Sequence, residues 1–272
     1  MRSLLGAACV AVPSQGSARD VSTDDGATQS TTLQARIARV SNGTVRIAFK
    51  AREGVCGNGM SWYRMRGPNT YSGTVINGNW SSMRDVEATC ERGLVRVVVV
   101  RTNNETTELR YTVGGRWRED TTAVDLGQVG ASEAGQWLLQ VGSTGLAKPA
   151  RTAMSAATVS DSVDATATLL RIAKDELRPR DVRNSALNWL GEVVGDKVTR
   201  TLDSIAYEPG DREVRKQAIA TLSRRPADEA IPALLKMVET LPDRELRKTA
   251  VFWLAQSKDP RAMRWMEQQL SR

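Results

Sequence analysis

Three segments of this chain superpose at a constant offset of 32 residues: DVRNSALNWLGEV from Asp181, EVRKQAIATLSRR from Glu213 and ELRKTAVFWLAQS from Glu245. Arg183, Arg215 and Arg247 coincide, as do Ala186, Ala218 and Ala250, and Leu190, Leu222 and Leu254. Val182, Val214 and Leu246 keep one character, and so do Leu187, Ile219 and Val251. Steps of four, five and eight residues put these apolar positions on one stripe of an α-helix. The spacing therefore predicts the first helix of three successive units.

A second helix follows in each unit. Its apolar positions are Val198, Leu202 and Ile205, then Ala230, Leu234 and Met237, then Ala262, Met266 and Leu270. Asp196 and Asp228 stand where an N-cap is wanted, and Asp259-Pro260 serves one residue earlier. Stepping back by the same period places Arg151 in the arginine register and Asp164, Leu170 and Ala173 on an equivalent second helix. A degenerate fourth unit is therefore expected from near Pro149. One pair cannot bury its own stripe, but stacked neighbours make a continuous core.

A period of 32, with an arginine opening the first helix and an aspartate opening the second, resembles the HEAT repeat, particularly the short bacterial units related to phycobilin lyases. The resemblance covers residues 150–272 and implies an α-solenoid of three to four helical pairs that acts as a binding scaffold. It also implies that second helices line the concave side. Exposed cations there, Arg171, Lys174, Arg200, Lys236 and Arg264, become the candidate groove for an acidic or extended segment of a partner protein. The ladder residues Arg151, Arg183, Arg215, Arg247, Asp164, Asp196 and Asp228 are expected to fix the register between units. Trp189 and Trp253 are expected in the core between units.

Composition narrows the chemistry. The sequence holds no histidine, which removes the commonest general base and metal ligand and every nucleophile–histidine pairing. With Cys9, Cys56 and Cys90 as the remaining soft ligands, a structural zinc site lacks its four donors. The expectation is a protein that is not an enzyme and carries no cofactor or metal. The net charge of +7 is spread over both halves: residues 1–146 carry 16 basic and 13 acidic side chains, and residues 147–272 carry 22 and 18. Interleaved signs describe a solvated face better than a phosphate-binding stripe, which argues against nucleic acid. No apolar run approaches the roughly 20 residues of a transmembrane helix.

The opening MRSLLGAACVAVPSQGSARD has an early arginine, an apolar stretch from Leu4 to Val12 and small residues before Arg19, the outline of a signal peptide over residues 1–18. An alternative processing point is Cys9, after Leu5-Gly6-Ala7-Ala8, which would leave a lipid-anchored protein. Both place the protein in the periplasm or outside the cell. Removal after Ala18 leaves Cys56 and Cys90, which then pair, closing a loop that stabilises by about 3 to 4 kcal/mol in the chain-entropy model. In the cytosol the same residues read as two buried thiols. Residues 19–32 are polar and aperiodic, as in a flexible tether.

Residues 33–146 read as a small β-rich domain. Val45, Ile47 and Phe49 alternate with Arg46 and Lys50 after Ser41-Asn42-Gly43, a hairpin signal. LVRVVVV at 94–100, a turn at Asn103-Asn104 and ELRYTV at 108–113 predict a second hairpin. Residues 51–93, with both cysteines, Trp62 and Trp80, read as a loop-rich stretch. Gly57-Asn58-Gly59 and Gly114-Gly115 lack the spacing and lysine of a phosphate loop and read as tight turns. Ser132 is expected to cap a short helix that buries Trp137, Leu138 and Val141, after which the solenoid runs over residues 147–272. Rival functions are a bilin-lyase-type enzyme, a structural envelope module and a nucleic-acid-binding solenoid.

Overall fold

The computed structural model describes residues 32–60, 62–67, 70–74, 90–117, 120–161, 163–193 and 196–271. The expected leader 1–18, Cys9 as an acylation point, the tether apart from Thr32, and Trp80 lie outside these residues, as does the side chain of Asp196.

Helix α1 (Leu33–Ala38) opens the described chain, with the Thr32 hydroxyl accepting from the Ala35 N–H as its N-cap. Strands follow as β1 (Gly43–Lys50), β2 (Val55–Gly57), β3 (Trp62–Gly67), β4 (Thr70–Thr74), β5 (Leu94–Thr102), β6 (Glu105–Val113) and β7 (Val124–Gln128). They form a four-stranded sheet in the order β6-β5-β1-β7 and a three-stranded sheet in the order β2-β3-β4. The β5–β6 hairpin turns at Asn103 and Asn104, whose φ values of 50° and 66° suit the two-residue turns that match strand twist. Ser41-Asn42-Gly43 instead joins α1 to β1, because β1 finds its partners in β5 and, in parallel, β7. The stretch read as loop-rich contains β2, β3 and β4, strands too short to show alternation.

The disulfide between Cys56 and Cys90 ties this small sheet down, with Cα atoms 5.3 Å apart. The two glycine clusters are indeed turns, and they meet. The Gly59 N–H donates to the Val113 carbonyl at 2.8 Å, and a Cβ on Gly114, at φ +66°, would lie 2.3 Å from the Gly57 oxygen. Only backbone fits between them.

Among the described residues nine helices then follow: α2 (Ala131–Thr144), α3 (Ala147–Thr158), α4 (Thr166–Lys174), α5 (Arg180–Gly191), α6 (Asp196–Tyr207), α7 (Arg212–Leu222), α8 (Ala227–Thr240), α9 (Arg244–Ser257) and α10 (Pro260–Leu270). Trp137, Leu138 and Val141 of α2 are buried as expected, but its N-cap is Gly130, and Ser132 sits in the first turn. First helices α3, α5, α7 and α9 lie side by side, and α6, α8 and α10 form a second layer. The tightest hairpins are α2/α3, α4/α5, α6/α7 and α8/α9. Each joins a second helix to the first helix of the next unit, half a repeat out of phase with the units drawn from the sequence.

Packing runs across residue 147. The inward face of the large sheet, with Val45, Ile47, Phe49, Val95, Val97 and Val99, shares one apolar cluster with the helices. Helix α3 lies on β6, where the hydroxyls of Tyr111 and Ser155 share a hydrogen bond of 2.5 Å. Trp189 of α5 stacks on Trp62 of β3, ring centroids 6.2 Å apart, so it joins helix to sheet rather than unit to unit. The buried guanidinium of Arg64 donates to the carbonyls of Thr158 and Glu192 at the ends of α3 and α5. Residues Thr32 to Arg272 form one compact unit.

Candidate functional site

Two surfaces follow from the helical stack: the junctions that hold successive units together, and the outward face of the second helices. At the junctions the partners of the arginines are aspartates ahead of the first helices. Arg180 and Arg183 both donate to Oδ2 of Asp211, at 2.9 and 2.8 Å, and Arg212 donates to Oδ2 of Asp243 at 2.9 Å. Asp211 and Asp243 stand at the N-caps of α7 and α9, where their other oxygens accept from the Glu213 and Glu245 N–H groups. Burial acts to raise both carboxyls. The arginine and backbone bonds outweigh it and hold both below the ordinary carboxylate value.

The four arginines in sequence register divide into two pairs. Arg151 bonds Asp181 and Arg183 bonds Asp211, each reaching forward into the next unit. Arg215 donates to the Ala206 carbonyl at 3.0 and 2.9 Å, and Arg247 donates to the carbonyls of Leu241 and Pro242, each reaching back. A cation at a helix C-terminus both satisfies an orphan carbonyl and meets the negative end of the macrodipole. Arg225, outside that register, does the same for α5, donating to Val193 at 2.7 Å and to Glu229 at 3.2 Å.

The aspartates of the second helices behave differently from one another. Asp259 is the N-cap of α10, and hydrogen bonds from the Arg261 side chain and N–H lower its pKa to about 2. Asp228 lies in the first turn of α8, whose N-cap is Pro226 with no side-chain cap, because the chain enters that helix through Arg225-Pro226. Asp164 accepts from the Thr166 N–H one residue ahead of the α4 N-cap, Ala165, and its carboxyl is lowered chiefly by Thr166. Asp196 opens α6. On α10, which packs on α8 and α9, only Ala262 of the expected stripe is buried; Met266 is half-buried and Leu270 is exposed.

On the second-helix face, Arg171 of α4 reaches the Ser143 hydroxyl at 3.4 Å and lines a hollow of about 400 Å³ between α2 and α4. Lys174 pairs with Glu208 at 2.7 Å. Lys236 pairs with Asp203 at 3.2 Å and lies 5.1 Å from the Tyr207 ring centroid, and the Asp203 bond raises its pKa. Arg200 makes no hydrogen bond or ion pair among the described residues and lines a cleft of about 250 Å³ between α4 and α6, with Lys174 and Lys197. Arg264 is exposed on α10, at the far end of the stack. The structure thus brings Arg171, Lys174 and Arg200 to adjoining helices, adds Lys197, and holds both Lys174 and Lys236 in ion pairs. Lys197 sits one residue inside the start of α6, three before Arg200, a spacing that a single turn of helix brings to one side.

The helices thus repeat at a constant period in two antiparallel layers, with arginines bonding aspartates or helix-end carbonyls at the junctions. Residues 204–272 match the family model of HEAT repeats. The C-terminal helices form a HEAT-like solenoid, and its matched part begins within α6 and runs through α10. No curated protein is matched by the chain. Among the described residues no cluster of acidic and cysteine side chains could hold a metal ion, and no helix is long and apolar enough to cross a membrane.

Proposed function

We propose that this protein is a non-catalytic scaffold that holds an acidic, extended segment of a partner protein in the cleft between α4 and α6, in a non-reducing compartment. The observation that carries the reading is the arrangement of Lys197 and Arg200 around that cleft beside the Lys174–Glu208 pair, with Arg200 making no hydrogen bond or ion pair among the described residues. Positive side chains at low mutual screening favour a carboxylate-rich ligand, and a guanidinium offers a planar fork that matches a carboxylate. The absence of histidine supports a binding role over catalysis, and the Cys56–Cys90 bridge supports export.

Fluorescence anisotropy with a labelled oligoglutamate peptide tests the cleft. Binding should weaken as salt rises, since exposed charges are screened over about 10 Å at 0.1 M. Charge reversal in Lys197→Glu/Arg200→Glu should raise the Kd by about tenfold or more, equivalent to about 1.4 kcal/mol, without lowering the melting temperature. Equal binding by wild type and variant rejects the cleft.

A further inference from the structure

The α4/α6 and α6/α8 grooves are each bridged by an ion pair: Lys174 meets Glu208 across the first, and Lys236 meets Asp203 across the second. Among the described residues the α2/α4 groove is not. Its cation is Arg171, exposed on α4, whose guanidinium touches one partner there, the Ser143 hydroxyl of α2. At 3.4 Å that contact is longer than the usual N–H···O range. Ser143 donates its own proton to the Leu139 carbonyl at 2.9 Å. Helix α2 carries a single carboxylate, Glu133, which lies in its first turn and accepts from the Leu33 N–H. The acid that closes the two later grooves is therefore missing from this one.

On the reading that the α4/α6 cleft takes an acidic segment, we propose that the same segment crosses α4 into the α2/α4 hollow and places a further carboxylate on Arg171. The ligand then supplies the acid that α2 lacks. The hollow, about 400 Å³, is shaped for a chain as well as a charge. Gln140 lines it from the α2 side, exposed, and its side-chain amide makes no hydrogen bond among the described residues. One amide offers a donor and an acceptor together, which matches the main chain of an extended segment. Asp164, just ahead of α4, lines the same hollow, so a carboxylate is drawn to the Arg171 end and repelled from the other. Packed helices lie about 8 to 10 Å apart and an extended chain rises about 3.3 Å per residue, which sets the carboxylates at Arg200 and Arg171 about three residues apart. A segment with acidic residues at that interval is selected over one of equal charge.

Two labelled peptides of equal composition give the test, Glu-Gly-Gly-Glu-Gly-Gly-Glu and Gly-Gly-Glu-Glu-Glu-Gly-Gly, titrated with the full chain by fluorescence anisotropy. The spaced peptide should bind with a Kd about threefold to fivefold lower, the upper range for an exposed ion pair. Arg171→Ala should remove that difference by weakening the spaced peptide alone, with the melting temperature unchanged because the side chain is in solvent. Gln140→Ala should weaken both peptides by the same factor, since a main-chain contact does not depend on where the carboxylates lie. Equal affinity for the two peptides, or a preference that survives Arg171→Ala, overturns the crossing of α4. An unchanged Kd in Gln140→Ala overturns the main-chain contact. If the preference is absent while Lys197→Glu/Arg200→Glu still loses both peptides, the hollow falls and the cleft stands. If neither peptide binds the wild type, both fall.

Discussion

Asp211, Asp243 and Asp259 each hold a helix start while bonding an arginine, and that double service makes them acid-sensitive. All three have carboxyls below the ordinary 3.8, Asp259 at about 2. A folded-state pKa below the unfolded one gives stabilisation that is complete above the unfolded value and is lost as pH falls through the folded value. The urea midpoint should therefore be level from neutral pH to about pH 5 and then decline with acid. Asp259→Asn keeps a side chain that caps well but removes the charge, so its midpoint should fall less steeply between pH 4 and 2 than that of the wild type. Identical slopes would show that the carboxylate charge contributes nothing. The Arg180–Asp211 and Arg212–Asp243 pairs are exposed on the arginine side, where solvent screens an ion pair and leaves it little net stabilisation. A fully buried Leu or Ile contributes roughly 1.5 to 3 kcal/mol. Apolar burial holds the units, and the pairs set how they meet.

The helices from α5 to α10 were legible as elements because each carries a long amphipathic stripe that repeats in register. Their pairing was not, since a sequence pattern shows which face is buried and not which neighbour lies closest. The aspartates of the junctions were within reach: Asp211 and Asp243 stand 32 apart, each just ahead of a first helix. Helix α1 has six residues, and β2 to β4 have three to six, too few for a period to declare itself. Of the candidate groove, Arg200 and its neighbours on α4 were readable from helical spacing, while the neutralisation of Lys236 by Asp203 depends on contact between α6 and α8. A sharper prediction belongs to α5, where Gly191 meets α7. A Cβ there would lie 2.4 Å from Cγ2 of Thr221, a side chain 1% exposed. Alanine is the better helix former by about 0.5 to 1 kcal/mol, but overpacking costs about 1 to 3 kcal/mol against a stiff β-branched neighbour. The clash should win. Gly191→Ala should lower the unfolding free energy by about 1 kcal/mol, and Gly191→Ala/Thr221→Ser should recover most of it in a double-mutant cycle.

At the scale of the whole molecule, the sheet packs against the helices at α3 and α5. Helix α3 is packed on β6 and its C-terminal carbonyl is held by Arg64, whereas α10 buries a single alanine. Because solenoid stability is a sum over neighbouring contacts, opening should begin at the helix that buries least, α10. Native-state hydrogen exchange should find the lowest protection in α9 and α10 and the highest in β5, α3 and α5. Uniform protection across the helices would show one cooperative block instead. The junction chemistry has a further consequence. The steps from α5 to α7 and from α7 to α9 use the same arginine-to-aspartate handshake, Arg180 to Asp211 and Arg212 to Asp243, so a 32-residue segment there is an interchangeable brick: gene duplication between Asp211 and Asp243 would lengthen the array by one course while leaving its foundation on the sheet as it is.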